Sequence, residues 1–510
     1  MKQARAYWPL IIFLAVVKFS LPFILQSPVY EPHRDELLYL AEGRYVALGF
    51  MEVPPMLSVF AWLTNLFGST LFWIKFWPSL FGAVTLVFTC LTAAEFGGKI
   101  FAQLIAGLGI MSGAYLRMHF LFQPNALEIF FWTLSIYFLV RFIKTNGTKF
   151  LYGFVFSLVL SWWSKYTVAF FAAGVLIGLL LSKYRYLFLR KKIYTAIVLG
   201  LLLILPNVWW QYDNGWPLIF HMRELQETQL KHLNPIGFLA DQLLYLVPVL
   251  FVWIGGLIWL FKQKEWRFLG WAYFFIIALL VLGRGKSYYS MGIYPMLLGA
   301  GGVALEQVTD TRKWLRVLLI LFILIVNLAL IPTLLPIWEP QKLAAFYKKY
   351  RLEKTGLLKW EDQQDHPLPQ DFSDMLGWEE MAQKVAKAYN LLSPQEKKDV
   401  FIFCNNYGMA GAVNYYAPKY HLPAAYSDNA SFLYWLPLNK NITDMILVTN
   451  DPNEQQHDWA KGFQQIIKLD SITNSYARER GDYIYLFKGA DDNFNRFFKE
   501  KIEKDRAAFK

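Results

Sequence analysis

"RKWLRVLLILFILIVNLALIPTLLPIWEP", residues 312–340, holds the two facts on which the fold turns. From Trp314 to Leu334 only Arg316, Asn327 and Thr333 interrupt an apolar run. A run of roughly 20 such residues in a helix crosses a bilayer core of about 30 Å. Past Pro332 and Pro336 the composition changes, and residues 341–510 are polar, charged and free of spanning runs. The basic trio Arg312, Lys313 and Arg316 stands where the positive-inside rule puts a cytoplasmic flank.

Upstream, the same pattern repeats. The 510 residues are 56% hydrophobic, 18% aromatic and only 17% charged, a balance suited to a polytopic membrane protein. Runs at 7–26, 71–92, 100–118, 126–144, 192–210, 242–261, 267–283, 290–306 and 314–334 qualify, and 150–182 reads as two short spans meeting at "SWWSKY". The expectation is about eleven spans. The first run follows Lys2 and Arg5, is too long for a signal-peptide core and should remain as an anchor.

The formal charge of +12 does not indicate nucleic acid, because the basic residues gather in short loops. Arg141, Lys144 and Lys149, the 183–192 loop, Lys262, Lys264 and Arg267, and the trio above all fall inside if the chain starts in the cytoplasm. Cys90 and Cys404 give no disulfide framework, and no Cys/His metal spacing occurs. An odd span count then puts the tail outside. In it "KKDVFIFCNN", "ITDMILVTND" and "GDYIYLFKG" read as short buried strands, with helices at 376–391 and 408–417. The expected division is a membrane domain, 1–336, and an extracytoplasmic α/β domain, 337–510, packed over the outer mouth to shape acceptor access.

The same count gathers five polar-rich loops outside: 28–70, 117–126, 161–166, 211–241 and 283–290. The first carries Asp35 and Glu36, with Tyr39 one turn on. A carboxylate beside a water-filled cavity can act as general base, but acids at a helix start are also simple dipole complements. Lys165, in "WWSKYTVAF", either faces an anion or snorkels to the interface. In "YDNGWPLIFH", which ends at His221, Asn-Gly is equally a turn signal. Arg284 and Lys286 form a cationic edge suited to phosphate, or two interfacial anchors.

These stretches resemble the polyprenyl-phosphate-sugar-dependent GT-C glycosyltransferases, the superfamily of protein O-mannosyltransferases and the lipid A aminoarabinose transferase. "RDELLYLAEGRYVALGFMEVPPMLSVFAWL" is similar to the family's first external loop at Asp35, Glu36, Tyr39, Ala41, Gly49, Phe50, Pro54 and Pro55. "RGKSYYSMGIYP" resembles its Gly-Lys-x-Tyr-Tyr string at Gly285, Lys286, Tyr288 and Tyr289. "NNYGMAGAVNYYAPKYHLPAAYSDNASFLYW" resembles the exported tail of bacterial members. The patches run in family order from about residue 30 to 440.

The resemblance implies an inverting transfer from a polyprenyl-phosphate sugar in the cytoplasmic (inner) membrane of the cell envelope to a lipid, glycan or protein acceptor. Asp35 would be the base and Glu36 its partner in the catalytic pair. Lys165, Arg284 and Lys286 would face the donor phosphate, with Tyr39, Tyr288, Tyr289 and His221 completing the site. No cofactor is required by this reading; a divalent cation stays open, because "QPNALEIFFWTL" has Asn125 where many relatives carry an aspartate, and Glu128 stands three residues on. A transporter or flippase of a lipid-linked sugar, or a member that binds without turnover, would use the same cations without needing the base.

Overall fold

The computed structural model describes residues 5–228 and 234–507; Lys2 and residues 229–233 of the 211–241 loop lie outside them. Among the described residues five helices are long and apolar enough to cross a membrane: Trp8–Leu25, Leu71–Glu95, Pro124–Thr145, Lys191–Asp213 and Lys313–Leu334. Val168–Leu180 with Lys183–Leu189, and Pro235–Leu244 with Val247–Lys262, are bent pairs at 107° and 67°, which makes seven if each pair is one span. The hydropathy reading expects about eleven.

Part of the difference lies in helices that are continuous but short, such as Arg267–Leu282, and part in a break that hydropathy does not register. The expected span at 100–118 is two helices, Ile100–Ile110 and Ala114–Met118, with a break between them. Gly113 then takes φ +56°, and a Cβ there would stand 2.2 Å from the Tyr245 carbonyl oxygen. Asn327, the polar residue within the opening stretch, caps this break. Its Oδ1 accepts from Gly113 N at 3.1 Å and its Nδ2 donates to Ser112 Oγ at 2.7 Å. A buried break is tolerated because its freed backbone groups are satisfied.

Small residues bring other helices together. Helices Leu250–Lys262 and Tyr294–Val308 meet at Gly256 and Gly301. A Cβ at Gly256 would lie 2.0 Å from Leu297 O, and one at Gly301 2.0 Å from Val252 O. Backbones this close need glycine at both points.

In the tail, β1 (Phe401–Cys404), β2 (Ala425–Tyr426), β3 (Met445–Thr449), β4 (Phe463–Ser471) and β5 (Tyr483–Ala490) form one sheet of order β2-β1-β3-β5-β4. β1 runs parallel to β2 and β3, while β5 runs antiparallel to β3 and β4. The three strands read from the sequence are β1, β3 and β5. β2 is two residues long, and β4 is a largely exposed edge with a register shift between Lys468 and Asp470, so neither carries a strong apolar pattern.

Alternation along the strands gives the sheet two apolar faces. Phe401, Met445, Leu447, Tyr485 and Phe487 pack under the Asp492–Ala507 helix through Phe494, Phe498 and Ile502. Ile402, Cys404, Ile446, Val448, Ile484 and Leu486 face helices Trp378–Asn390 and Tyr407–Tyr420. That second core continues without a gap into Leu37, Leu38, Leu40 and Ala41 of the first loop, then Phe122, Leu127 and Phe131 of the helix bundle. The tail and the bundle are joined through the loop that carries the acid pair.

Gly256 and its neighbour test the close packing. Gly256→Ala is expected to destabilise the purified protein by about 1–3 kcal/mol, the range for overpacking. Gly255→Ala, where nothing lies within 4 Å of the new Cβ, should be neutral or slightly stabilising. Thermal unfolding in detergent checks both; equal melting temperatures would remove the packing explanation.

Candidate active site

Helix Arg34–Glu42 starts with a reciprocal cap in which His33 takes the place of the usual hydroxyl residue. His33 Nδ1 accepts from Asp35 N at 3.1 Å, and Glu36 Oε2 accepts from His33 N at 2.8 Å. Glu36 also receives Lys75 Nζ on both oxygens, at 2.7 and 2.8 Å, and Phe122 N at 2.6 Å. It is fully buried, and Lys75 lies 4.2 Å from the Phe120 ring centroid.

Successive helical residues are rotated by about 100°. Asp35 therefore points elsewhere, into a cavity of about 330 Å³. Its Oδ2 accepts from Gln123 Nε2 and its Oδ1 from the Tyr407 hydroxyl, both at 2.9 Å. The same cavity is lined by Tyr39, Lys165, His221, Lys286, Tyr288 and Tyr289. Glu36 and Arg284 are not among its lining residues. Glu36 faces the Leu71–Glu95 helix, and Arg284 is exposed at a turn with φ +50°.

Lys165 sits in the extended break between helices Thr148–Ser164 and Val168–Leu180. Its Nζ donates to Asn125 Oδ1 at 2.7 Å and Glu128 Oε2 at 3.0 Å, and lies 4.0 Å from the Tyr289 centroid. Thr167 holds the other Glu128 oxygen. Asn125 Nδ2 donates in turn to Gln123 Oε1 at 3.1 Å, so a chain of polar contacts runs Lys165–Asn125–Gln123–Asp35. An aspartate at 125 would have no proton to offer Gln123. Glu128, one turn along, supplies the charge that Asn125 lacks.

Sequence reasoning passed over Glu52, Gln123, Glu224, Glu361, Tyr407 and Asn429, which also line the cavity. Glu52 and Tyr407 stand inside the quoted motifs "GFMEVPP" and "NNYGMAG", so a signal was present for them. Glu52 accepts from Ser431 N and Oγ, both at 2.6 Å. Burial raises its carboxyl above the ordinary range, and raises Glu42, buried behind it, well above that range with help from Glu52. Two adjacent buried carboxyls cannot both ionise cheaply. Burial, assisted by Lys286, brings His221 down to about 4, which keeps its imidazole neutral. Burial also lowers Lys286, against the opposing pull of Glu361 and Asp35.

Two groups of His and carboxylate side chains lie close together among the described residues. His33 Nε2 stands 3.9 and 3.8 Å from Asp371 and Asp374, but those acids already pair with Arg117 and Arg478. In the tail, His457 bonds Asp451 at 2.7 Å and Glu454 bonds Thr449 at 2.6 Å. The tail set is satisfied by protein partners, whereas His33 Nε2 is buried without a hydrogen-bond partner among the described residues.

The family described as dolichyl-phosphate-mannose-protein mannosyltransferase matches residues 52–210, the stretch that contains Gln123, Asn125 and Lys165. Lipid A galacturonosyltransferase RgtD of Rhizobium johnstonii (strain DSM 114642 / LMG 32736 / 3841) is 25% identical over 225 residues, 42% of this chain and 47% of that protein. The match thus spans about half the length of that relative. Crystal structures of ArnT from Cupriavidus metallidurans align over nearly the whole chain. The form bound to undecaprenyl phosphate gives a TM-score of 0.60 at 13% identity, covering 94% of this chain and 98% of ArnT. The apo form gives 0.62 at 12%, covering 94% and 97%. The fold is the ArnT-like GT-C fold, several apolar helices with a small sheet. Family match, relative and fold together support the GT-C glycosyltransferase superfamily.

The Glu36–Lys75 pair gives a stability test. Glu36→Gln leaves Lys75 as a buried, unmatched charge, a change that typically costs about 3–5 kcal/mol. Glu36→Leu combined with Lys75→Met should lose less, because both charges go together. Melting temperatures of the purified variants decide it; a double variant worse than Glu36→Gln would show that the hydrogen bonds to Phe122 and His33 matter more than the charge.

Proposed function

We propose that this chain is an inverting glycosyltransferase that moves a sugar from a polyprenyl-phosphate donor to an acceptor at the outer face of the cytoplasmic membrane. One observation carries the reading: a carboxylate held by two donors and two lysines, Lys165 and Lys286, line a single cavity. The first suits a base, the second a leaving phosphate. ArnT, whose fold this chain shares, has been crystallised with undecaprenyl phosphate.

In this mechanism Asp35 takes the proton of the acceptor nucleophile as it attacks the anomeric carbon. The bond from that carbon to the phosphate oxygen breaks, and polyprenyl phosphate leaves with the electron pair. Lys286 and Lys165 offset the charge that develops on it, and such fixed cations are strongest in a site that excludes water. The Tyr288 and Tyr289 rings flank Lys165, with centroids 5.1 and 4.0 Å from its Nζ. Neutral His221 and the Glu52 carboxyl can hydrogen-bond sugar or acceptor hydroxyls. Glu36 acts through position only, and Arg284 has no part in the cavity. A flippase for a lipid-linked sugar would use the lysines but would not need Asp35.

One helix supports this sidedness. Pro124–Thr145 has 22 residues, about 33 Å at 1.5 Å per residue, close to a bilayer core. Its first turns carry Asn125 and Glu128 at the cavity, and its last turns carry Arg141 and Lys144. These basic residues bind Glu95 at 2.5 and 2.7 Å, at the far end of the Leu71–Glu95 helix. Basic residues at the far end favour the cytoplasmic side for that end.

Asp35→Asn should reduce transfer by about 10²–10⁴-fold while undecaprenyl phosphate affinity stays within about tenfold. Lys165→Ala should instead weaken that affinity, since the phosphate loses its partner. Transfer near the parent rate in Asp35→Asn would reduce the acid to a helix-terminal charge. For topology, reporters fused after residue 190 and after residue 345 should fall on opposite sides; the same side for both would undo the outer-face assignment.

A further inference from the structure

We propose that Tyr407, carried by the tail, is a positioning residue of the cavity, orienting the Asp35 carboxylate for proton transfer through its hydrogen bond. The tail is then part of the catalytic unit and not only a cover over it. This inference rests on reading Asp35 as the base.

The contact is built from several directions. Tyr407 is the first residue of helix Tyr407–Tyr420, whose cap is Asn406; its Oδ1 accepts from Met409 N at 3.0 Å. This helix lies directly on the acid helix. A Cβ at Gly408 would stand 2.7 Å from Arg34 Cγ, and one at Gly411 2.8 Å from Leu37 Cβ. Only glycine at these two points lets the helices approach until the hydroxyl reaches Asp35 at 2.9 Å. The guanidinium of Arg34 stacks on the Tyr407 ring at 5.0 Å and is itself held 3.4 Å from Glu479. The phenol is thus fixed by its ring as well as by its hydroxyl.

A carboxylate offers about four lone-pair sites. Tyr407 occupies one on Oδ1 and Gln123 one on Oδ2, which leaves a free site on each oxygen. Burial and Asp35 hold the Tyr407 hydroxyl well above its usual range, so it keeps its proton and remains a donor. The other titratable groups coupled to Asp35 are Lys286 and Tyr288 from the 286–293 segment and Tyr39 from its own helix. Tyr407 also feels Arg34 and Asp374. Glu52, Glu361 and His221 face the same cavity. All of these are unchanged in Tyr407→Phe, so a shift there reports the lost hydroxyl.

Attachment of the tail does not depend on this bond. Glu31 takes Trp378 N, Glu379 N and the Tyr416 hydroxyl at 3.0, 2.6 and 2.8 Å, and Glu52 takes Ser431. Phenylalanine also keeps the stack on Arg34. Tyr407→Phe is therefore expected to fold.

The test uses the full-length purified protein. Infrared difference spectra against Asp35→Asn follow the titration of the Asp35 carboxyl. In Tyr407→Phe its midpoint should rise by about one pH unit, product formation in membranes should fall about tenfold, and undecaprenyl phosphate affinity should stay within about threefold. Difluorotyrosine placed at 407, a stronger donor of the same shape, should move the midpoint the other way. An Asp35 midpoint that moves in neither variant overturns the proposal, even with activity reduced, and leaves Tyr407 a packing residue. If Asp35→Asn itself transfers sugar at the parent rate, the base assignment fails instead, and the two midpoints still report whether Tyr407 controls the carboxylate.

Discussion

The buried pair of Glu36 and Lys75 is the constraint from which the rest of the site takes its geometry. Removing two charges from water carries a penalty of several kcal/mol for each, and their attraction offsets it only when the remaining lone pairs are filled. Here they are filled: Glu36 receives Lys75 on both oxygens, Phe122 N on one and His33 N on the other. Each of those partners belongs to a different piece of chain. The pair fixes the first-loop helix against the Leu71–Glu95 helix and against the bend that starts Pro124–Thr145. That bend carries Gln123 and Asn125, so the chain of contacts from Asp35 to Lys165 is set by an ion pair that never touches the cavity.

Attachment of the tail obeys the same economy of satisfied groups. One face of its sheet and the helices on it share a core with Leu37, Leu38 and Leu40, and around that dry seam three first-loop acids engage polar groups of the tail. Glu31 caps the Trp378–Asn390 helix, Glu52 holds Ser431, and Asp35 takes Tyr407. Carboxylates at a helix start complement its dipole. The apolar seam supplies attraction without direction; the three acids supply the register.

Asn125 fills a place in the polar chain that an aspartate could not. Lys165 needs a counter-charge in its partly buried break, and Glu128 provides it from the next turn of the same helix. The amide at 125 then does what a carboxylate could not, accepting from Lys165 while donating to Gln123. Lys165 is thereby paired within the chain, and Asp35 keeps its own two donors.

Much of this was legible in the residues. Apolar runs announced Leu71–Glu95, Pro124–Thr145 and Lys313–Leu334 within a few positions, because hydropathy over a span depends only on local composition. Short apolar runs announced β1, β3 and β5 for the same reason. The motif loops named Asp35, Lys165, Lys286, Tyr288 and Tyr289, which the fold brings to one cavity. Three things could not be read from neighbours in the chain. Gly113 breaks an apolar run because Tyr245 and Asn327 press on it from distant helices. Asp35 and Glu36 are adjacent acids, and only the position of Lys75 decides which one is buried and which faces the cavity. Tyr407 reaches Asp35 across 372 positions of sequence. The sequence determines which segments are apolar and which side chains carry charge, since those are properties of each residue. The tertiary structure decides which charges meet, since a buried carboxylate is stable only where partners from several segments converge to satisfy it.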